Sequence, residues 1–442
     1  MKKSIFVWAQ KVEENPDKFL LLERTSGESI LFNSNEYEYW EEGKIELLDK
    51  DTIDFLIENS FLIEDDVDQL AEEAEIRLLA RNKDLRKDQL SFIIAPTLYC
   101  NARCSYCFEN GCEKSRMTSE VEEKTVEFIT SLVKKSQSQH LDIAWFGGEP
   151  LLEKEVIKRM SKSFIDYVGE ENYSASIITN GSLIDDNAIE LFHSCNISSV
   201  QITFDGDEKA SDDVKHYLNP SVHNFSKVME HIELCCSNDI FVYIYFNLTK
   251  SNVGDVRRTI KEIYRRLQRF GELFTITVRP VTGEENSKDL LAKEDLENVF
   301  LKIYSEMLDL GILPKDFFFD SIDNLFCKGC YSFCIRKSSM GFSIDPLGYI
   351  YKCEHFLGKK NYAVGNVYTG LDEEKEEKFY EFSTRLTEEC YSCPLLPNCQ
   401  GGCLAARKTN VPSCLTNKVF MKFIVQKLYE SLYSFLKEGS SS

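Results

Sequence analysis

The sequence is poor in the features on which nucleic-acid-binding and membrane proteins depend. It has 52 Lys and Arg against 73 Asp and Glu, so its formal net charge is −21. A chain with this balance has few basic residues to offer a phosphate backbone or an anionic membrane surface. It also has no apolar run that approaches the ~18 residues of a membrane-spanning helix. We therefore expect neither nucleic acid nor a membrane among its partners.

An export signal is missing as well. Met1, Lys2 and Lys3 are followed by a brief apolar stretch from Ser4 to Ala9, and Lys11 interrupts it soon afterwards. This stretch is too short for the core of a signal peptide. We expect a cytoplasmic protein, in which thiols stay reduced and clustered cysteines bind metal more often than they form disulfides.

Cysteine is the residue type that the chain has in excess, with sixteen cysteines against six histidines. The length of 442 residues suggests two or three domains, and 43% hydrophobic residues suffice to fold them. Nine of the cysteines lie between Cys327 and Cys414, amid Gly and Pro. Such a segment buries little apolar surface by itself, so we expect it to fold around metal.

Residues 1–88 lack cysteine and predict a small α+β module in front of the remaining chain. Alternating and helical apolar patterns divide it into five elements. The predicted strands are Ile5–Ala9, Phe19–Leu22 and Ile30–Phe32, and the predicted helices are Asp51–Leu62, with Asp51 as its cap, and Leu70–Leu79.

From Ser91 onwards, six strand-like segments alternate with amphipathic helical segments. The strands are Phe92–Ala95, Asp142–Phe146, Ala175–Thr179, Val200–Phe204, Phe241–Leu248 and Phe274–Val278, and the helices between them are Ser119–Lys134, Glu153–Tyr167, Asp186–Cys195, Phe225–Cys236 and Val253–Phe270. This alternation predicts a parallel sheet, either open and doubly wound or closed towards a barrel. In both folds the functional residues collect at the carboxyl ends of the strands.

Cys100, Cys104 and Cys107 follow the first of these strands and are separated by three and two residues. Three thiolates from one loop can bind three irons of a 4Fe–4S cube, which leaves the fourth iron open to a ligand that is not protein. The alternative is zinc, but a structural zinc site needs four protein ligands. Cys112 lies close enough in the sequence to be a fourth ligand.

The cysteine loop and the turns after it resemble the radical S-adenosylmethionine (radical SAM) superfamily. The matching residues are Cys100, Cys104, Tyr106 and Cys107, then Gly147-Gly148-Glu149-Pro150, Thr179-Asn180-Gly181, Phe204-Asp205-Gly206 and Asn247. Each turn is common by itself, so their joint order carries the resemblance. It implies a partial (β/α)6 TIM-like barrel core over residues 89–315 within an α/β fold.

The resemblance also implies how the cofactors are bound and used. The three loop cysteines would hold a 4Fe–4S cluster, and the residues that bind S-adenosylmethionine would be Tyr106, Gly147, Gly148, Glu149, Thr179, Asn180, Asp205 and Asn247. The Gly-Gly-Glu backbone and carboxylate would meet the methionine amino group, and Asn247 the ribose. An external one-electron reductant such as flavodoxin or ferredoxin would drive cleavage to a 5′-deoxyadenosyl radical, which takes hydrogen from the substrate.

Residues 316–442 resemble the SPASM domain, which holds two auxiliary 4Fe–4S clusters. The resemblance assigns Cys390, Cys393, Cys399 and Cys414 to the distal cluster and Cys334, Cys353 and Cys403 to the nearer one. Either Cys327 or Cys330 would complete the nearer cluster, or one iron stays open. Glu354 follows Cys353, at the position where some SPASM enzymes place a general base. A pair of zinc ribbons is the alternative for this segment.

The combination of these three segments resembles maturases of ribosomally made peptides (RiPPs). The module 1–88 would bind the leader part of a precursor peptide as an added strand or in a cleft between a strand and a helix. The core part would receive a thioether or carbon–carbon crosslink. Glu208–His216 departs from the pattern, because it lacks the His-Asp and Arg that related maturases often carry there. The alternatives are oxidation of a protein Cys or Ser, as in anaerobic sulfatase maturases, and a zinc-binding module without catalysis.

Overall fold

The fold is taken from a computed structural model of the chain. It describes residues 1–13, 15–82, 89–221, 223–281, 291, 293–313, 341–384, 386–399, 401–403, 418–419, 421–423 and 425–427. Four of the predicted cluster ligands, Cys327, Cys330, Cys334 and Cys414, lie outside these residues. The described residues form two compact units: the first comprises those of Met1–Asn82, Ala292–Ser332 and Thr384–Ser442, and the second those of Lys83–Leu291 and Phe333–Ser383.

The amino-terminal part of the first unit is the predicted α+β module. Its strands are β1 (Lys2–Lys3), β2 (Val7–Lys11), β3 (Lys18–Glu23), β4 (Ser29–Asn33) and β5 (Leu62–Ile63), and its helices are α1 (Ser34–Glu42), α2 (Lys50–Glu58) and α3 (Gln69–Asn82). Strands β2, β3 and β4 form an antiparallel sheet in that order, while β1 pairs with β5. One face of β3 and β4 packs through Leu21 and Phe32 against Trp40 of α1 and Leu56 of α2.

Two details of this module differ from the prediction. Helix α1 was not expected, although Asn33 and Glu36 form a capping box in which each side chain accepts a hydrogen bond from the backbone of the other. The cap of α2 is Asp49 and not Asp51, because the Asp49 carboxylate accepts from the backbone N–H of Thr52. Asp51 lies inside the first turn of the helix.

The second unit contains a ten-stranded sheet in the order β11-β10-β9-β8-β7-β6-β12-β13-β14-β15. Its strands are β6 (Gln89–Ile94), β7 (His140–Trp145), β8 (Tyr173–Thr179), β9 (Ile197–Phe204), β10 (Phe241–Leu248), β11 (Phe274–Pro280), β12 (Gly341–Ile344), β13 (Tyr349–Tyr351), β14 (Gly365–Asn366) and β15 (Gly370–Leu371). All six strands expected after Ser91 are present, so the α/β prediction is confirmed.

Strands β6 to β11 are parallel, and each one pairs with its successor in the chain. The intervening helices are α4 (Ser119–Ser136), α5 (Lys154–Val168), α6 (Asp186–Ser194), α7 (Glu208–Lys215), α8 (Phe225–Ser237) and α9 (Val253–Leu267). Right-handed crossovers that always advance in one direction place all their helices on one face of the sheet. This strand order favours the partial TIM-like barrel over the doubly wound sheet, whose order reverses at a switch point.

The sheet extends beyond the six barrel strands. Strand β12 pairs in parallel with β6, and β13 to β15 continue from it as antiparallel hairpins. The described residues of Phe333–Ser383 therefore cluster with the barrel. The remaining helices are α10 (Lys293–Asp309), α11 (Glu373–Thr384) and α12 (Leu396–Cys399). The domain boundaries at residues 88 and 315 stay predictions.

Burial alternates along the barrel strands as a sheet with two different faces requires. On β7 the side chains of Leu141, Ile143 and Trp145 are fully buried, whereas those of Asp142 and Ala144 between them are only half-buried. None of the described helices has both the length and the apolar composition that crossing a membrane requires.

Candidate functional site

The predicted cysteine loop joins β6 to α4, and its start is fixed to the end of β7. The Gly148 N–H donates to Thr97 O at 3.0 Å, and the Glu149 N–H donates to Tyr99 O at 2.8 Å. A Cβ on Gly147, whose φ is +110°, would lie 2.3 Å from Thr97 O, and one on Gly148 would lie 2.2 Å from Tyr99 O. Glycine is required at both positions because the two backbones are in contact.

Cys100, Cys104 and Cys107 are each half-buried in this loop. The Ala102 N–H donates to Cys100 Sγ at 3.4 Å, and Asn180 Nδ2 lies 3.8 Å from the same sulfur. Burial, together with the charge of Glu149, raises the pKa of the Cys100 thiol to about 12, and burial also raises the pKa values of Cys104 and Cys107. Thiols in this environment ionise when a bound metal supplies the positive charge.

The three loop sulfurs lie farther apart than the ligands of a single zinc ion. Among the described residues, Cys353, Glu354 and His355 form a group of three possible metal ligands whose donor atoms all lie within 4.8 Å of one another. The loop cysteines do not form such a group. Sulfurs bound to one tetrahedral zinc, at ~2.3 Å from the metal, are only about 3.8 Å apart. None of the twelve described cysteines forms a disulfide.

Glu149 joins the Gly-Gly-Glu-Pro turn to the turn after β8. Its carboxylate is fully buried and accepts hydrogen bonds from the Leu151 N–H at 3.0 Å, Thr179 Oγ1 at 2.7 Å and the Asn180 N–H at 2.9 Å. Burial raises the pKa of this carboxyl, and the three donors oppose that effect. Asn180 in turn donates to Asn101 Oδ1 at 2.8 Å, which connects the turn to the cysteine loop. The contact of the Glu149 carboxylate with a methionine amino group stays a prediction.

A second group of predicted cofactor residues is centred on Asp205, at the end of β9. Asp205 is 1% exposed, and it accepts hydrogen bonds from Tyr106 Oη at 3.1 Å and Asn247 Nδ2 at 3.4 Å. Burial raises the pKa of the Asp205 carboxyl, while the nearby Lys215 ammonium lowers it. The structure thus brings together residues from the cysteine loop, β9 and β10.

Lys215 and Asn252 belong to this second group and were missed in the sequence. Lys215 Nζ lies 3.8 Å from Asp205 Oδ2, and both side chains are buried. The carbonyl of Lys215 accepts from the Arg103 N–H at 2.8 Å and lies 4.0 Å from Cys104 Sγ. Asn252 Nδ2 donates to the carbonyls of Asp205 and Asn247, both at 2.8 Å. Lys215 could have been found from its position at the end of α7. That helix was not predicted because it is short and has only two apolar residues.

Glu354 lies in a short 3₁₀ helix, Glu354–Phe356, directly after Cys353. The His355 ring stacks on Phe108, the neighbour of Cys107, with ring centroids 4.6 Å apart. Cys112 is directed to the same segment, with its sulfur 3.7 Å from Leu357 O. Burial opposes ionisation of Glu354, but the adjacent His355 outweighs it and holds the pKa of this carboxyl below its usual value. The segment that carries the predicted general base therefore contacts the cysteine loop through His355.

The described cysteines after Thr384 belong to the first compact unit, whereas Cys353 belongs to the second. Cys390 and Cys393 bracket a short turn in which the Cys393 N–H donates to Cys390 O at 3.2 Å. Cys399 ends α12, and its N–H donates to Leu395 O at 2.8 Å. Cys393 and Cys399 pack against a buried cluster that contains Leu20 and Leu395. Cys403 is half-buried.

Residues 94–263 match the family model described as the Radical SAM superfamily. This range includes the cysteine loop, the Gly-Gly-Glu-Pro turn and the Asp205 group, and the strands around it form the parallel part of the sheet. The chain therefore carries a radical SAM domain, on a partial TIM-like barrel.

Named relatives and solved structures resemble more of the chain than this domain. The radical SAM cyclopropyl synthase TigE of Paramaledivibacter caminithermalis is 23% identical over 84% of this chain and 79% of its own length. A cysteine-type anaerobic sulfatase-maturating enzyme of Clostridium perfringens is 26% identical over 77% of this chain and 97% of its own length.

Two solved structures share the fold. Native anSMEcpe with bound AdoMet and Cp18Cys peptide has a TM-score of 0.62 at 20% identity and covers 78% of this chain and 98% of its own. Streptococcus suis SuiB bound to precursor peptide SuiA has a TM-score of 0.52 at 16% identity and covers 91% and 95%.

Proposed function

We propose that the chain is a radical SAM peptide maturase, which cleaves S-adenosylmethionine reductively to a 5′-deoxyadenosyl radical. The radical takes hydrogen from a ribosomally made precursor peptide, and a thioether or carbon–carbon crosslink forms in that peptide. The observation that carries the proposal is the convergence of the three-cysteine loop, the Glu149 group and the Asp205 group at the carboxyl ends of β6 to β10. A loop with three thiolates suits a cluster with one open iron.

The protein residues have distinct tasks in this proposal. Cys100, Cys104 and Cys107 hold the cluster, and the thiol environment and sulfur spacing support that assignment. Glu149 keeps the two turns that border the cofactor at a fixed separation, because three donors bind its carboxylate. Asp205 holds Tyr106 and Asn247 in place.

The auxiliary clusters are the second part of the proposal. Cys390, Cys393, Cys399 and Cys414 would hold the distal cluster; Cys334, Cys353 and Cys403 would hold the nearer one, with Cys327 or Cys330 as a possible fourth ligand. Glu354 would accept the substrate proton, and the stacking of the adjacent His355 on Phe108 of the cysteine loop supports that role. The depressed pKa keeps its carboxylate ionised, which is the form that accepts a proton, but it also makes this carboxylate a weaker base than an ordinary Glu.

A peptide is the substrate class that the comparisons favour. SuiB, in the structure with precursor peptide SuiA, covers 91% of the chain, which leaves 9% of 442 residues, or about 40, unmatched. That remainder is smaller than Met1–Asn82, so the likeness includes part of the amino-terminal module. We propose that this module binds the leader part of the peptide, at the edge strand β2 or β4.

Oxidation of a protein Cys or Ser is the second candidate. The observation in its favour is that the Clostridium perfringens sulfatase-maturating enzyme aligns over 97% of its own length. The two reactions leave different products. A crosslink removes two hydrogen atoms and retains every heavy atom, whereas oxidation with hydrolysis converts the side chain to an aldehyde.

The first experiment tests whether the chain has radical SAM chemistry. The protein is reconstituted anaerobically with iron and sulfide, reduced by flavodoxin or ferredoxin, and assayed for 5′-deoxyadenosine. Three four-iron clusters predict about twelve irons per chain. Cys104→Ala should abolish 5′-deoxyadenosine release, whereas Cys235→Ala, a buried thiol on α8 outside the site, should retain it. Bound zinc without S-adenosylmethionine cleavage would refute the proposal.

The second experiment identifies the reaction. A short Cys-rich peptide encoded beside the gene is co-expressed with the enzyme and examined by mass spectrometry. Loss of two hydrogen atoms per event supports crosslinking, and an aldehyde supports the sulfatase-maturase reaction. Release of 5′-deoxyadenosine with an unmodified peptide would reject that peptide as the substrate.

A further inference from the structure

Arg24 is a buried cation in the first compact unit, with only 2% of its surface exposed. Charged side chains are seldom buried to this extent unless an opposite charge faces them. Arg24 directly follows β3, and its N–H donates to Phe6 O at 3.1 Å, so strand pairing continues through this residue. The antiparallel pairing of β2 with β3 therefore extends to Arg24, one residue beyond the end of β3.

The strand places Arg24 on the side of the sheet that faces the carboxyl-terminal cysteines. Successive side chains of a strand point to opposite faces, so Leu20, Leu22 and Arg24 share one face. Leu20 and Leu22 belong to a buried cluster with Leu395, Met421 and Val425, against which Cys393 and Cys399 pack. Arg24 therefore lies on the face of the sheet that packs against this cluster.

Glu23, the neighbouring carboxylate, is directed to the other face. It accepts hydrogen bonds from Ser4, Thr25 and Ser26. Burial lowers the pKa of Arg24 to about 10, and the charges of Glu23 and of the Cys393 thiolate raise it. Glu23 contributes more to this stabilisation than Cys393, so the thiolate of Cys393 is the second negative charge that acts on Arg24.

The amino-terminal sheet and the cysteine segment are also joined by hydrogen bonds at a second place. Gln10 Nε2 of β2 donates to Lys422 O at 3.0 Å, and the Glu13 N–H donates to Gln426 Oε1 at 3.2 Å. The module expected to bind a leader peptide therefore also packs against Cys393 and Cys399.

We propose that Arg24 is the charge partner of the iron–sulfur cluster held by Cys390, Cys393 and Cys399, and that it raises the reduction potential of this cluster. The inference rests on the proposed function, which places a cluster there. Reduction adds one electron, supplied by the external one-electron reductant, and so one negative charge to an already anionic thiolate cluster. A buried cation stabilises the reduced form more than the oxidised form, and net charge is one of the determinants of cluster potential.

The test measures potential, independently of turnover. The full-length chain with Cys100, Cys104 and Cys107 replaced by Ala is reconstituted, so that the remaining clusters are those of the carboxyl-terminal cysteines. A redox titration followed by electron paramagnetic resonance gives their midpoint potentials. The signal that disappears on the further change Cys390→Ala belongs to the cluster in question.

In this background Arg24→Met and Arg24→Gln should shift that midpoint to lower potential, whereas Arg24→Lys should stay near the parent value. The matched control is Lys44→Met, which removes an exposed positive charge from the same unit, with 54% of the Lys44 side chain accessible, and should leave the potential unchanged. If Arg24→Met and Arg24→Gln lose the cluster while Arg24→Lys keeps it, a positive charge at position 24 is needed for the cluster, which also supports the inference.

Three results would overturn the inference. Full iron content with an unchanged midpoint in Arg24→Met refutes the role of Arg24 and leaves the proposed function intact. Loss of the cluster in all three variants, including Arg24→Lys, shows that Arg24 is needed for packing and not for charge. Zinc in place of iron in the parent protein refutes both the inference and the auxiliary clusters.

Discussion

Substitution of Gly148 by alanine tests the backbone contact on which the candidate site is built. A Cβ at this position would lie 2.2 Å from Tyr99 O, which is about 1.2 Å short of the 3.4 Å at which ordinary contact begins. The obstacle is backbone, so no side-chain rotation relieves it. The Tyr99 carbonyl directly precedes Cys100 and accepts the Glu149 N–H at 2.8 Å. We expect the cysteine loop to move away by roughly 1 Å, with a loss of ~1–3 kcal/mol of stability, as for other overpacked sites.

The functional loss should exceed the loss of stability. A misplacement of about 1 Å in a catalytic arrangement can lower a rate by ~100-fold. After anaerobic reconstitution, we expect Gly148→Ala to release 5′-deoxyadenosine about 100-fold more slowly than the parent at saturating S-adenosylmethionine. We also expect a changed electron paramagnetic resonance spectrum of the reduced loop cluster on cofactor addition, because the open iron is displaced from the Gly-Gly-Glu-Pro turn.

Gly254→Ala is the matched control. Gly254 lies in the first turn of α9, and a Cβ there would meet only the Arg258 side chain, at 3.6 Å. Alanine is favoured over glycine in helices by up to ~1 kcal/mol, so this variant should be as stable as the parent or slightly more stable. Parent-like cleavage and spectra in Gly148→Ala would refute the reasoning that the two backbones are in contact in the working enzyme.

Three further predictions address individual interactions. Lys215→Met leaves the buried Asp205 carboxylate without its cation, a change that typically costs ~3–5 kcal/mol of stability. We therefore expect a lower melting temperature, and weaker S-adenosylmethionine binding in equilibrium dialysis. Parent-like binding would contradict the assignment of Lys215 to the Asp205 group. Burial raises the pKa of Asp142, so the folded state binds the proton of this carboxyl more tightly than the unfolded state. The parent should therefore lose thermal stability relative to Asp142→Asn as pH rises through the raised pKa. A stability difference that is independent of pH would argue against a raised pKa. Asp49→Ala should lower the melting temperature of the first unit more than Asp51→Ala, and the reverse order would restore Asp51 as the cap.

The barrel strands could be predicted because each combines a short apolar run with flanking turns. Phe241–Leu248 was placed at its observed ends, and the others within a few residues. The elements that were missed give weak local signals. Helix α7 offers only two apolar residues, and Asp49 caps α2 through backbone angles that composition does not reveal. Strand β12 joins β6 from far along the chain, so no local pattern announces the pairing.

The sequence by itself determined which residues are grouped by spacing: the three-cysteine loop, the turns after the strands and the order in which they follow one another. These groups are local, and the direction of a parallel strand suffices to place its end at one edge of the sheet. Tertiary structure alone decided the pairs that lie far apart in the chain: Glu149 with Asn180, Tyr106 with Asp205, and Leu20 with Cys393. Buried charges need partners, and the fold, not the spacing, supplies them.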